Sequence, residues 1–170
     1  MFTDSDPKLI SATGLETFLG HFPAGASFQQ IHHFSQEIVA QKFQMYDHGE
    51  EKNMQLYGAP QPPMYNMFNI QGFPIALMGG LADKLASPED FRMLRNQLHS
   101  TNSCVFYKEY DYGHVAFLIP ADKTIFFEMA VLISQFNSDF KQPTEVQPDR
   151  AAKLAVAMKN VGEIMAQFRQ

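Results

Sequence analysis

The sequence predicts an α/β fold, and three observations carry that reading: two apolar runs of strand length, a helical pattern between them, and loop chemistry directly after each run. The first run, Phe73-Pro-Ile-Ala-Leu-Met78, breaks into Gly79-Gly80-Leu81-Ala82-Asp83. The second, Val105-Phe-Tyr-Lys-Glu-Tyr110, breaks into Tyr112-Gly113-His114. A run that is apolar at nearly every position, rather than at alternate ones, is the pattern of a strand covered on both faces. Two parallel strands alone would leave open edges and wet apolar faces. We therefore expect either another polypeptide to supply the remainder of the sheet or a smaller fold built around the helices.

Each element has a local reason. Phe28, Ile31, Phe34, Ile38 and Val39 recur at helical spacing, which predicts a helix over Phe28 to Phe43 with Ser27 as N-cap. Glu50 to Pro63 is polar and proline-rich, and reads as a loop. The first strand covers about Phe73 to Met78. Ser87-Pro88-Glu89-Asp90 then opens a helix, with a capping hydroxyl, a proline in the first turn and acids beside the positive end of the helix dipole. That helix runs to about Leu98. The second strand covers about Val105 to Tyr110, and a helix from about Asp122 to Gln135 follows the histidine loop.

After Pro143 and Pro148, which make a hinge, the segment from Asp149 to Gln170 reads as an amphipathic helix. Its stripe is Ala151, Leu154, Met158, Val161, Met165 and Phe168, while Arg150, Lys153, Lys159, Glu163 and Arg169 lie off it. Such a helix either folds back on its own domain or docks on a foreign chain. No internal repeat occurs.

Composition fits a globular unit and excludes several function classes. With 170 residues, 45% hydrophobic and 13% aromatic, the chain is long enough for a core of its own. A net charge of −5 gives no basic footprint, so nucleic-acid binding is not expected. The single cysteine excludes an internal disulfide, and no Asn-x-Ser/Thr acceptor site occurs. The opening Met-Phe-Thr-Asp-Ser-Asp has neither a basic n-region nor an apolar h-region, and no run is long enough to span a bilayer. Nothing marks a secreted chain, and an intracellular or organellar assembly is the expectation.

The chemistry concentrates in a carboxylate and then an imidazole, each just past a strand. In α/β-hydrolases that order, Asp then His, follows a serine on a Gly-x-Ser-x-Gly elbow. No Gly-x-Ser-x-Gly occurs among the nine serines here. Ser27 comes nearest, in Gly25-Ala26-Ser27-Phe28-Gln29, but Gln29 stands where the strained elbow needs a small residue. Ser27 reads instead as a helix cap. Cys104, at a strand entrance, reads as a small buried apolar residue. His32 and His33 are adjacent, so on a helix they diverge by roughly 100° and cannot both face one ion. His21, His48 and His99 show no ligand spacing. Neither a metal nor any other cofactor is expected.

Beyond these motifs, residues from about Asp6 to Ser134 resemble the C-terminal portion of the acid lipases, the gastric and lysosomal group of α/β-hydrolases with a helical cap. The resemblance rests on His21-Phe-Pro-Ala-Gly-Ala-Ser27, Gln29-Gln-Ile-His-His-Phe-Ser-Gln36, Lys42-Phe-Gln-Met-Tyr-Asp47 and Gln61-Pro-Pro-Met-Tyr-Asn66 for the late cap. For the core it rests on Gly79-Gly80 with Asp83-Lys-Leu-Ala-Ser-Pro-Glu-Asp90, and on Tyr112-Gly-His-Val-Ala-Phe117. Where the family carries an acid two places after the histidine, this chain has Ala116.

The resemblance implies a partial α/β-hydrolase: a late-cap segment over 1–66, the end of the hydrolase core with its last two strands over 67–142, and an added helix over 143–170. It implies Asp83 and His114 as triad acid and base, with the serine and oxyanion donors on a partner chain. A lipid or other ester is the implied substrate, and Phe18, Phe22, Phe28 and Phe34 would help line an acyl pocket. The expected function is thus an acid-lipase-like subunit, inactive alone. The alternative is a non-catalytic subunit of a larger assembly, contacted through 149–170.

Overall fold

A computed structural model describes residues 6–137 and 148–167. Two strands form a parallel pair, β1 (Ile75–Gly80) and β2 (Cys104–Tyr110), with Ala76 beside Phe106, Met78 beside Lys108 and Gly80 beside Tyr110. Side chains alternate across a sheet, so Met78, Phe106, Lys108 and Tyr110 share one face while Leu77, Gly79, Tyr107 and Glu109 share the other. β1 begins two residues later than its apolar run and continues through both glycines.

Helix α1 (Ala12–Leu19), which the apolar periodicity did not signal, is capped by Ser11, whose Oγ accepts from the Gly14 amide at 3.2 Å. The stretch before it lies along the one that follows the histidine loop. The Ser11 amide donates to Ile119 O (2.9 Å) and the Ala121 amide to Leu9 O (2.8 Å).

Helix α2 (Phe28–Ala40) turns its polar side toward the following loop: His33 Nε2 lies 2.9 Å from Gln44 O, and Gln36 exchanges two hydrogen bonds with the Asp47 backbone. Its apolar side, with Phe28, Ile31, Ile38 and Val39, is exposed. Where a loop was expected over Glu50 to Pro63, helix α3 spans Glu50–Tyr57. Glu50 and Glu51 favour its N-terminus. The fully buried Asn53 fixes it, donating to Asp47 Oδ1 (2.7 Å) and Pro60 O (2.9 Å) and accepting from the His48 amide (3.0 Å).

Helix α4 (Pro88–His99) connects the strands and starts as the sequence predicts, with Ser87 Oγ accepting from the Asp90 amide at 3.2 Å. It covers the Leu77/Tyr107 face. Phe91 lies directly over Gly79, where any Cβ would clash with the ring, and stacks on Tyr107 at 5.1 Å. Arg92 holds Glu109 through two hydrogen bonds of 2.8 and 2.9 Å, and Arg95 lies 4.8 Å over the Tyr107 ring. These contacts let a polar strand residue sit beneath a helix without losing its partners.

The opposite face is covered by α5 (Thr124–Phe136) and α6 (Pro148–Gln167). Phe106, Val131, Leu132, Ala157, Val161 and Met165 form the buried core, with Met78, Phe127, Leu154 and Ile164 packed around it. The faces of the two strands are therefore not left wet as two bare strands would be. Of the two dispositions open to the C-terminal helix, the structure has it folded back on its own domain.

Its buried face is also rotated from the one read off the apolar residues. Ala157 is fully buried and Met158 is 54% exposed. Ala157 belongs to the buried cluster with Phe106, so α6 turns this face, rather than Met158, inward. The expected hinge at Pro143 and the stripe residue Phe168 lie outside the described residues.

Two compact units result: His21–Asn69 is one, and the segment up to Gly20 with that from Ile70 onward is the other. Among the described residues no helix is long and apolar enough to cross a membrane. The face of α6 gives a direct test within one residue type. Met165→Ala should cost about 2–5 kcal/mol in urea unfolding, as for other buried large-to-small changes, and Met158→Ala no more than about 0.5 kcal/mol.

Candidate active site

Because β1 and β2 run parallel and end level, the loops that follow them lie side by side. The loops are laced by backbone hydrogen bonds from the Leu81 amide to Tyr110 O (2.9 Å) and from the Ala82 amide to Tyr112 O (3.0 Å). Gly80 makes this approach possible. A Cβ there would collide with the Tyr112 carbonyl oxygen and reach within 2.9 Å of Phe117 Cε2. The consecutive glycines of the sequence thus answer two separate close approaches, Gly79 to α4 and Gly80 to the neighbouring loop.

The lacing brings the two expected site residues together. His114 Nδ1 lies 3.0 Å from Asp83 Oδ2. The other carboxylate oxygen, Oδ1, accepts from the Leu85 amide (2.8 Å) and the Ala86 amide (2.9 Å), so the carboxyl is aimed rather than free to turn. Burial pushes the Asp83 carboxyl up, but the Ala86 and Leu85 amides, with His114, outweigh it and hold the group below its ordinary value. An ionised carboxylate only accepts, so Nδ1 is the donor, and in the neutral imidazole Nε2 is the nitrogen that keeps a lone pair. The Asp83 side chain is 5% exposed and that of His114 is 46% exposed. Among the described residues no protein group engages Nε2. The pair can therefore hold a basic imidazole nitrogen toward solvent with its tautomer fixed from behind.

No model of a protein family matches the chain. Human gastric triacylglycerol lipase is 33% identical over 134 residues, which is 76% of this chain and 33% of the lipase. The gastric triacylglycerol lipase of Bos taurus is 31% identical over 137 residues, 78% of this chain and 34% of that protein. Human lipase member J is 34% identical over 119 residues, 69% of this chain and 31% of its own length. The chain is acid-lipase-like. It spans about a third of the length of the curated relatives it matches.

Among the described residues the one hydrogen-bond partner of His114 is Asp83, and no serine or cysteine bonds it. Ser27 is the N-cap of α2, and its amide donates to Gln30 Oε1 at 3.3 Å. Cys104 is buried, and burial pushes its thiol up, away from the reactive thiolate. Ala116, in the place of the family's acid, is fully buried in the turn after His114, where a carboxylate would lose its water. His32 bonds the Tyr46 hydroxyl (2.7 Å), and no group of three His, Cys, Asp or Glu gathers as a metal cage among the described residues. The ring cluster beside the loop has no motif of its own in the chain. Tyr110, Tyr112 and Phe117 stand in mutual contact at 5.5 to 6.0 Å. Its only sign was the density of aromatics around His114.

The Asp83 carboxyl also fixes a pH dependence. A group whose pKa is lower in the folded chain than its ordinary 3.8 adds stability above that value and loses it as pH falls through the folded pKa. Wild type should thus exceed Asp83→Asn in stability at about pH 5, where the carboxylate is ionised, with that advantage shrinking once the pH drops below about 4. Urea midpoints of both proteins across that range check it.

Proposed function

We propose that this chain carries the acid and base of an acid-lipase-like ester hydrolase, and that the serine and oxyanion donors come from a partner chain carrying Gly-x-Ser-x-Gly. The observation that carries the proposal is the 3.0 Å contact from His114 Nδ1 to a buried, backbone-held Asp83, with Nε2 left open. In this reading Nε2 takes the proton of the serine hydroxyl as its oxygen attacks the ester carbonyl, and Asp83 stabilises the imidazolium that forms. The same nitrogen then delivers the proton to the departing alkoxide. Water, deprotonated by His114 in turn, releases the acid. The partner's backbone amides would hold the oxyanion, and this is usually the larger share of the rate.

Two features of the surface support a completing polypeptide. β1 pairs with β2 alone among the described strands, which leaves its other edge unpaired. Helix α5 carries Phe126, Met129, Ile133 and Phe136 along one side, each 40 to 47% exposed. A stripe of that length facing water is the kind that monomers bury. An ester of a fatty acid is the substrate class, in keeping with relatives named triacylglycerol lipases.

The purified chain alone should not hydrolyse a short-chain nitrophenyl ester above the buffer rate, since among the described residues no hydroxyl or thiol is hydrogen-bonded to His114 to attack the carbonyl. Turnover by the isolated chain that His114→Ala abolishes would overturn the reading.

A further inference from the structure

Helix α5 contains one carboxylate in an otherwise apolar stretch, Glu128, and its exposure is 0%. A buried acid persists only where its oxygens are engaged. Here Lys108 of β2 donates to both oxygens (2.7 and 2.9 Å), the Tyr110 hydroxyl donates to Oε2 (2.5 Å) and Asn160 of α6 donates to Oε1 (2.9 Å). One carboxylate thus joins a strand and two helices. Tyr110 is the last residue of β2, directly before the loop that bears His114. Burial, and then the adjacent carboxylate, push its hydroxyl far above the ordinary tyrosine value, so it remains a donor.

The Tyr110 ring is held on every side that matters to the loop. Lys108 Nζ lies 4.6 Å over it, Tyr112 stacks on it at 5.6 Å and Phe117 meets it edge-on at 6.0 Å. Tyr112 and Phe117 bracket His114 in sequence. The Tyr112 carbonyl receives the Ala82 amide that ties the histidine loop to the aspartate loop. A shift of the Tyr110 ring would move both ends of the turn that carries His114.

We infer that Glu128, acting through Tyr110 and its ring partners, is a positioning residue for the Asp83–His114 pair, and that Asn160 makes α6 part of the same support. The inference rests on reading that pair as the acid and base of the site. Its test, however, is read on the isolated chain and requires no ester turnover.

Amide hydrogen exchange separates positioning from general stability. The Ala82 amide reports the lacing between the loops, and the Ile75 amide, bonded to Ser103 O at 2.8 Å, reports the far end of the sheet. Tyr110→Phe keeps the ring and removes only the donor to Glu128. It should speed exchange at Ala82 by about tenfold and broaden the His114 Nδ1 resonance while leaving Ile75 unchanged. Glu128→Leu should do the same or more, and Glu128→Gln, which retains hydrogen-bonding groups at that position, should restore much of the protection. If Glu128→Leu does not fold, Tyr110→Phe decides the matter alone. Unchanged exchange at Ala82 in Tyr110→Phe, or equal acceleration at Ala82 and Ile75, would overturn the inference.

Discussion

Residue 80 has no side chain, and the geometry around the site depends on that. The Tyr112 carbonyl occupies the space a Cβ would take, and the loop after β2 thereby approaches the loop after β1 closely enough for backbone hydrogen bonds. Hydrogen bonds of this kind add modest net free energy each, but an unmade one in a buried place costs more than a made one gains. The two loops are consequently registered by their backbones first. The side chains of Asp83 and His114 then meet because their positions past the strand ends are already set, and the carboxylate is aimed by two further amides rather than by the imidazole alone.

A two-stranded sheet offers little area, so its covering helices must bring chemistry as well as apolar surface. On one face α4 places Arg92 on Glu109 and an aromatic ring over Gly79. Arg92 holds the Glu109 carboxyl down at about 2. On the other face α6 supplies Ala157, Val161 and Met165 to a core shared with α5 and Phe106, and Glu128 answers the lysine that β2 turns inward. Charged strand residues are retained on both faces because each has a partner, in keeping with the rule that buried charges are paired. The outer edges of the two strands and the exposed side of α5 lie in the same compact unit as Asp83 and His114.

Much of this was legible in the chain. Asp83 and His114 could be singled out because each follows a strand-length apolar run, and the start of α4 could be placed because Ser87, Pro88, Glu89 and Asp90 act locally. What escaped depends on contacts distant in sequence. Helix α3 is fixed by Asn53 bonding to Asp47 and Pro60, and a polar, proline-rich stretch shows none of that. The inward face of α6 includes Ala157 rather than Met158, and apolarity alone, which ranks methionine above alanine, points the other way. Glu128 was invisible for the opposite reason: a lone acid in an apolar helix resembles a surface residue until Lys108, Tyr110 and Asn160 are seen around it.

The central claim is that acid and base lie on this chain and the nucleophile on another. Labelling the native assembly with a fluorophosphonate probe, followed by separation of its polypeptides, tests it most directly. The account predicts a labelled serine on a co-purifying polypeptide, with labelling strongly reduced when the assembly carries His114→Ala in this chain. Labelling of this chain itself, at Ser27 or any other serine, would contradict it, as would labelling of the partner that is indifferent to His114.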